Sequence, residues 1–168
     1  LNGLKLDNQI QSAKSEVPLR DFIAVLPDFN IRPHTDTGCM NIPDGVQVED
    51  WLAKDVYQYV VANLPANKSN WVITGYSTGG WCAAMLALKH PEIFKAAAPI
   101  AGYYRVQTPF KLSSQARKTL KSEYDLVSLS MAQVSPPDLY LITSTADAST
   151  YKETKWFYSK LLYQNHVE

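Results

Sequence analysis

Apolar positions along the chain follow two spacings. Residues 22–26 (FIAVL), 71–74 (WVIT), 96–100 (AAAPI) and 139–143 (LYLIT) are short continuous apolar runs, as expected of strands buried on both faces. Pro99 counts against the third, because proline cannot donate to a ladder. Leu52, Val56, Tyr59 and Val60, with Asn63, recur at i, i+4 and i+7/8, and Glu49 and Asp50 suit the positive end of that helix. Trp81, Met85 and Leu88 repeat the spacing up to His90-Pro91, and a third helix is predicted from Tyr151 to Tyr163, with Trp156 and Leu161 among its apolar members. Residues 4–14 are helix-like, 113–129 hold one or two short helices, and Ser135-Pro136-Pro137 turns into the last strand. Four strands alternating with helices predict an α/β fold: a mostly parallel sheet, joined by right-handed crossovers, with helices on both faces.

At 168 residues and 46% hydrophobic content the chain suits one domain with a substantial core. Sixteen basic side chains balance sixteen acidic ones, so no long-range field favours nucleic acid or an anionic bilayer. The longest apolar runs fall far short of the ~20 residues a membrane span needs, and no transmembrane segment is expected. Cys39 and Cys82 lack metal-ligand spacing, and nothing calls for a metal or cofactor. Cys82 reads as a small buried residue of the helix after Ser77, with a disulfide to Cys39 as the minor alternative.

Gly75-Tyr76-Ser77-Thr78-Gly79 fits the G-x-S-x-G nucleophile elbow, and its surroundings fit too: WVIT precedes it and a striped helix follows. A sharp strand-to-helix turn strains the serine backbone, and a side chain at either flanking glycine is expected to collide with a neighbouring strand or helix. Ser77 then presents its hydroxyl at a helix N-terminus, and the Thr78 N–H is one oxyanion donor. The alternative is that Ser77 caps the helix, a common role that requires no flanking glycines.

The stretch GYSTGGWCAAMLALKHPEIFKAAAPIAGYY resembles the elbow region of the esterase family of α/β-hydrolases that includes esterase D-like enzymes and the mycobacterial mycolyltransferases. FIAVLPDFN is similar to that family's strand and following loop, and LYLITSTAD extends the likeness over most of the chain. The resemblance implies a partial α/β-hydrolase fold, and STAD resembles the family's acid turn. Chain order in this fold is serine, acid, histidine, which points to Asp147, just past a strand. Asp125 and Glu123 compete from a less regular segment, and an aspartate in a polar loop is ordinarily a turn former.

The base is harder to find. His166 is the only histidine after Asp147, and it also reads as a solvated helix-end residue; His90 lies at the far end of the elbow helix. His34 and Asp36 follow FIAVL at the carboxyl edge of the sheet, where ligands bind, and with Tyr76 are candidates for lining the substrate pocket. In the family the catalytic histidine follows a further strand. Residues 1–168 are therefore expected to be the central portion of one hydrolase domain, without its N-terminal strands or its histidine-bearing segment, and nearly inactive alone.

The expected activity is carboxylic ester hydrolysis through an acyl-enzyme on Ser77, with a small-molecule, lipid or sugar ester as substrate. Acyl transfer to a sugar hydroxyl, as the resemblance to mycolyltransferases implies, uses the same residues. A non-catalytic binding module with Tyr103 and Tyr104 on its surface is the alternative of another class. The mycolyltransferase likeness also tilts localisation towards secretion or the cell envelope.

Overall fold

The computed structural model describes residues 6–16, 21–29, 36–107 and 112–162. Its centre is a parallel sheet in the order β1-β2-β3, with β1 Trp71–Tyr76, β2 Phe94–Ile100 and β3 Asp138–Leu139. The helices are α1 Leu6–Glu16, α2 Val48–Asp50, α3 Tyr57–Asn63, α4 Thr78–Lys89, α5 Ser114–Glu123, α6 Leu126–Met131 and α7 Ala148–Leu162. A π-helical segment, Trp51–Val56, joins α2 to α3. Its wider turn shifts the apolar face. Leu52 and Val60 are buried as the stripe predicts, but Tyr59 is rotated out to 67% exposure. Among the described residues no helix is long and apolar enough to cross a membrane.

Helix α4 is the core. It packs on β1 and β2 and against α6, and every residue from Gly80 to Leu88 is buried, not only the Trp81, Met85 and Leu88 stripe. Ala97 and Pro99 of β2 are buried on the sheet face towards this core. Val72, Tyr76, Tyr140 and Ile142, at alternate positions, stand exposed on the other face. Local chemistry sets the short helices: the Ser113 hydroxyl accepts from Ala116 N–H at the start of α5, and the Asp125 carboxylate accepts from Val127 N–H at the start of α6.

The sheet departs from the four expected strands in two places. Residues 22–26 are irregular, and Phe22, Ile23, Val25 and Leu26 are exposed. The segment instead lines an open cavity of about 710 Å³ with Trp51, Tyr59, Val60 and Leu64. Among the described residues β1 pairs with β2 alone, and no ladder joins 22–26 to the sheet. The run at 139–143 is also shortened, to β3 and a single bridge from Ile142 to Ile100. Tyr140 N–H reaches Ala97 O and Ile142 N–H reaches Pro99 O, so the parallel pattern requires Pro99 to donate to the Tyr140 carbonyl between them. Proline has no N–H, and the ladder breaks there.

Candidate active site

Ser77 is the single residue between the end of β1 and the start of α4, and it adopts φ 56°, ψ −115°, in the left-handed region that favours glycine. Three hydrogen bonds over-determine this turn: Ser77 N–H donates to Ile100 O (3.0 Å), while Gly80 and Trp81 N–H donate to Ser77 O (2.9 and 3.1 Å). The hydroxyl does not cap α4, and Ser77 is exposed. The capping alternative is thereby excluded in this conformation.

Only one of the two flanking glycines has the expected steric reason. A Cβ on Gly75 would stand 2.8 Å from Gly79 Cα and closer still to its carbonyl, whereas a Cβ on Gly79 would meet nothing within 4 Å. The second tight position is Gly80, where a Cβ would lie 2.8 Å from Ile100 O and 3.0 Å from Gly102 Cα. The close approach of α4 to β2 therefore depends on the second glycine of the Gly79-Gly80 pair.

A loop from 36 to 42 covers the first turn of α4. Asp36 Oδ1 accepts from Gly38 N–H (2.8 Å), and Asp36 Oδ2 accepts from the Thr78 hydroxyl (3.0 Å). Tyr103 stacks on Trp81 with ring centroids 5.5 Å apart. Burial pushes the Tyr103 phenol up to about 12, against the opposing effect of its hydrogen bond with Thr78. Trp81 Nε1–H donates to Gly38 O (2.7 Å), and Cys39 is joined to Cys82 by a disulfide. That disulfide corrects the reading of Cys82 as a free buried residue. Tyr104 is buried and stacks on Phe157, so Tyr103 and Tyr104 are packing residues and not an exposed aromatic surface.

Asp147 lies at the same carboxyl edge. Ile142 bridges to Ile100, which pairs with Tyr76, so the chain leading to Asp147 leaves the sheet two strand spacings from Ser77, about 10 Å. Its carboxylate accepts from the hydroxyls of Thr150 (2.7 Å) and Ser149 (2.8 Å) and from both their N–H groups, and these bonds hold it below the usual carboxylate range. Asp147 thus caps α7, and no contact joins it to Ser77. Among the competitors, Asp125 caps α6 and Glu123 pairs with Lys89 (3.1 Å). His90 bonds Glu49 (2.8 Å) beyond the far end of α4, about 20 Å along the helix from Ser77. Tyr76 precedes the turn and is 64% exposed on the open sheet face. His34 and His166 lie outside the described residues.

The turn thus leaves an exposed, uncapped hydroxyl beside the N–H groups that the start of α4 leaves without helical partners. Among solved structures, an S-formylglutathione hydrolase from Agrobacterium tumefaciens is similar with a TM-score of 0.47 and 17% sequence identity, over 76% of this chain and 61% of that one. This chain therefore spans less than two thirds of that protein's length. A search of curated proteins found no match. The model of the prolyl oligopeptidase family, Peptidase_S9, matches residues 43–167, a span that contains the β1 to α4 turn, Asp147 and most of the chain, and the protein belongs to that family.

Proposed function

We propose that the protein is a serine hydrolase that cleaves carboxylic esters through an acyl-enzyme on Ser77. The observation that carries this reading is the exposed, uncapped Ser77 hydroxyl held at positive φ between a strand and a helix. Such strain persists only when surrounding bonds enforce it, and it is concentrated where a side chain must be presented.

In the first step Ser77 Oγ bonds to the ester carbonyl carbon, the carbonyl electron pair moves onto oxygen, and the Oγ proton passes to a histidine. The Thr78 N–H donates to the oxyanion. Collapse breaks the bond to the alcohol, which leaves with the proton from the imidazolium; water then repeats the sequence on the acyl-enzyme. We assign the base to a histidine outside the described residues, because His90 is committed to Glu49. Asp147 orients that histidine. Its present bonds to Ser149 and Thr150 fix the carboxylate, and an N–H approaching from the Ser77 side would be a further donor to it.

The family's name favours one second reading, in which the acyl group comes from a peptide bond. The same acyl-enzyme serves both, and acyl transfer to a sugar hydroxyl differs only in the nucleophile of the second step. The Cys39–Cys82 disulfide supports a working place in an oxidising compartment, secreted or at the cell envelope.

The test is fluorophosphonate labelling of the intact protein, alongside turnover of p-nitrophenyl esters and of peptide p-nitroanilides. Labelling lost in Ser77→Ala, with ester turnover reduced by about 10⁶, is the expected result. A folded wild-type protein that takes no label would make it a binding module instead. Faster turnover of the anilides would move the substrate class to peptides.

A further inference from the structure

Asp36 is half-buried beside the first turn of α4. Both of its oxygens are engaged within the protein, one by the Gly38 N–H and the other by the Thr78 hydroxyl. We propose that Asp36 is a positioning residue: through the Thr78 hydroxyl it holds the first residue of α4 so that the Thr78 N–H stays aimed at the developing oxyanion. This inference rests on the Ser77 reading above.

Thr78 matters because of its place in the chain. In the first turn of α4, Gly80 and Trp81 N–H return to Ser77 O, whereas the Thr78 N–H has no backbone acceptor among the described residues. It is one of the four donors that a helix start leaves unused. A threonine hydroxyl at such a start has competing local acceptors and donors. Bonded to Asp36, it is withdrawn from them, and the backbone it belongs to loses freedom.

The anchor itself is rigid. Loop residues 36, 38 and 39 reach helix residues 78, 81 and 82 by a hydrogen bond, a second hydrogen bond and a disulfide. Positions i, i+3 and i+4 share one face of a helix, so three links fasten the loop along a single line. Tyr103 stacks on Trp81, the middle of those three helix positions. The carboxylate is thus fixed to the helix it orients and does not move with an exposed loop.

The experiment is a double-mutant cycle in the intact protein, reading kcat and KM for an ester and the rate of fluorophosphonate labelling, with thermal unfolding as a separate measurement. Thr78→Val keeps the side-chain shape and removes the hydroxyl. It is expected to lower kcat and labelling about tenfold with KM unchanged, a part of the 10²–10³ lost when a donor is removed outright. Asp36→Ala should lose a similar factor, Thr78→Ser should recover most of it, and the double variant should be no slower than either single one. A Thr78→Val protein within about twofold of wild type, or losses that multiply in the double variant, would overturn the inference while leaving Ser77 as nucleophile. Loss of thermal stability without loss of rate per folded molecule would overturn it too. A wild-type protein that takes no label removes the Ser77 reading and this inference together.

Discussion

The two ends of α4 use polar groups in opposite ways. At its start Ser77 is strained and exposed, and its hydroxyl has no partner within the turn. At its other end, around Lys89 and His90, the polar groups are buried or half-buried and each is paired. Glu49 is only 3% exposed, yet its Oε1 takes His90 (2.8 Å) and its Oε2 takes Lys89 (3.0 Å) and the Tyr124 hydroxyl (2.6 Å). Tyr124 in turn accepts from Asn41 N–H (2.8 Å), and Lys89 lies over its ring. An unsatisfied group is costly when buried but not when it faces water, so one end is saturated for stability while the other leaves a hydroxyl available for the chemistry proposed above.

If that division is right, the largest stability effect comes from the saturated end. Glu49→Ala leaves Lys89, His90 and Tyr124 without their common acceptor and should cost about 3–5 kcal/mol, measured by denaturant unfolding. The rate of fluorophosphonate labelling of the molecules still folded should not change. Should Glu49→Ala fail to fold, Glu49→Gln keeps a neutral acceptor and provides the same reading at smaller cost. A labelling rate that falls with Glu49→Gln would show the two ends to be coupled, and would break the comparison.

What the sequence made legible is what is local. The strand-to-helix junction at Ser77 could be read because apolar run, glycine pattern and helical stripe lie within a few residues. The 113–129 segment resolves into α5 and α6 for the same reason, since each helix carries its own capping residue. The misses depend on distant neighbours. Glu49 looked like a dipole partner because Lys89, His90 and Tyr124 lie some 40 to 75 residues away. FIAVL has strand composition, but composition cannot supply an adjacent ladder, and LYLIT was cut short by a proline on the neighbouring strand. Asp36 drew notice only for its expected position at the sheet edge. Its actual partner, Thr78, depends on how the loop folds back over α4.

The disulfide separates the ends further. It closes a span of 43 residues, for which chain entropy gives about 4 kcal/mol as a ceiling, and about 2–4 kcal/mol is the usual cost of removal. Replacing both cysteines by alanine should therefore lower stability by an amount comparable to the Glu49 change. Unlike that change it also releases the loop that carries Asp36, so labelling per folded molecule should slow by up to about the tenfold expected of Thr78→Val. Stability loss with an unchanged labelling rate would mean that the Gly38–Trp81 bond alone keeps the loop in place.

Acid should weaken the saturated end by the smallest amount, because only the ionic share of the Glu49 contacts titrates. Burial by itself would raise the Glu49 pKa, but hydrogen bonds from His90, Tyr124 and Lys89 outweigh it and hold the carboxyl below its ordinary value of 4.5. A carboxylate whose folded pKa is depressed stabilises the protein above its unfolded pKa, and that contribution is lost as pH falls through the folded value. Asp50 and Asp147 are depressed as well, so total stability reports all three groups. The informative quantity is the stability difference between wild type and Glu49→Gln across this range. It should be constant above about pH 5.5, one unit over the ordinary carboxylate value, and shrink as Glu49 takes up its proton. A difference that does not narrow on acidification would mean that the Glu49 contacts stabilise through hydrogen bonding alone, with no net gain from its charge.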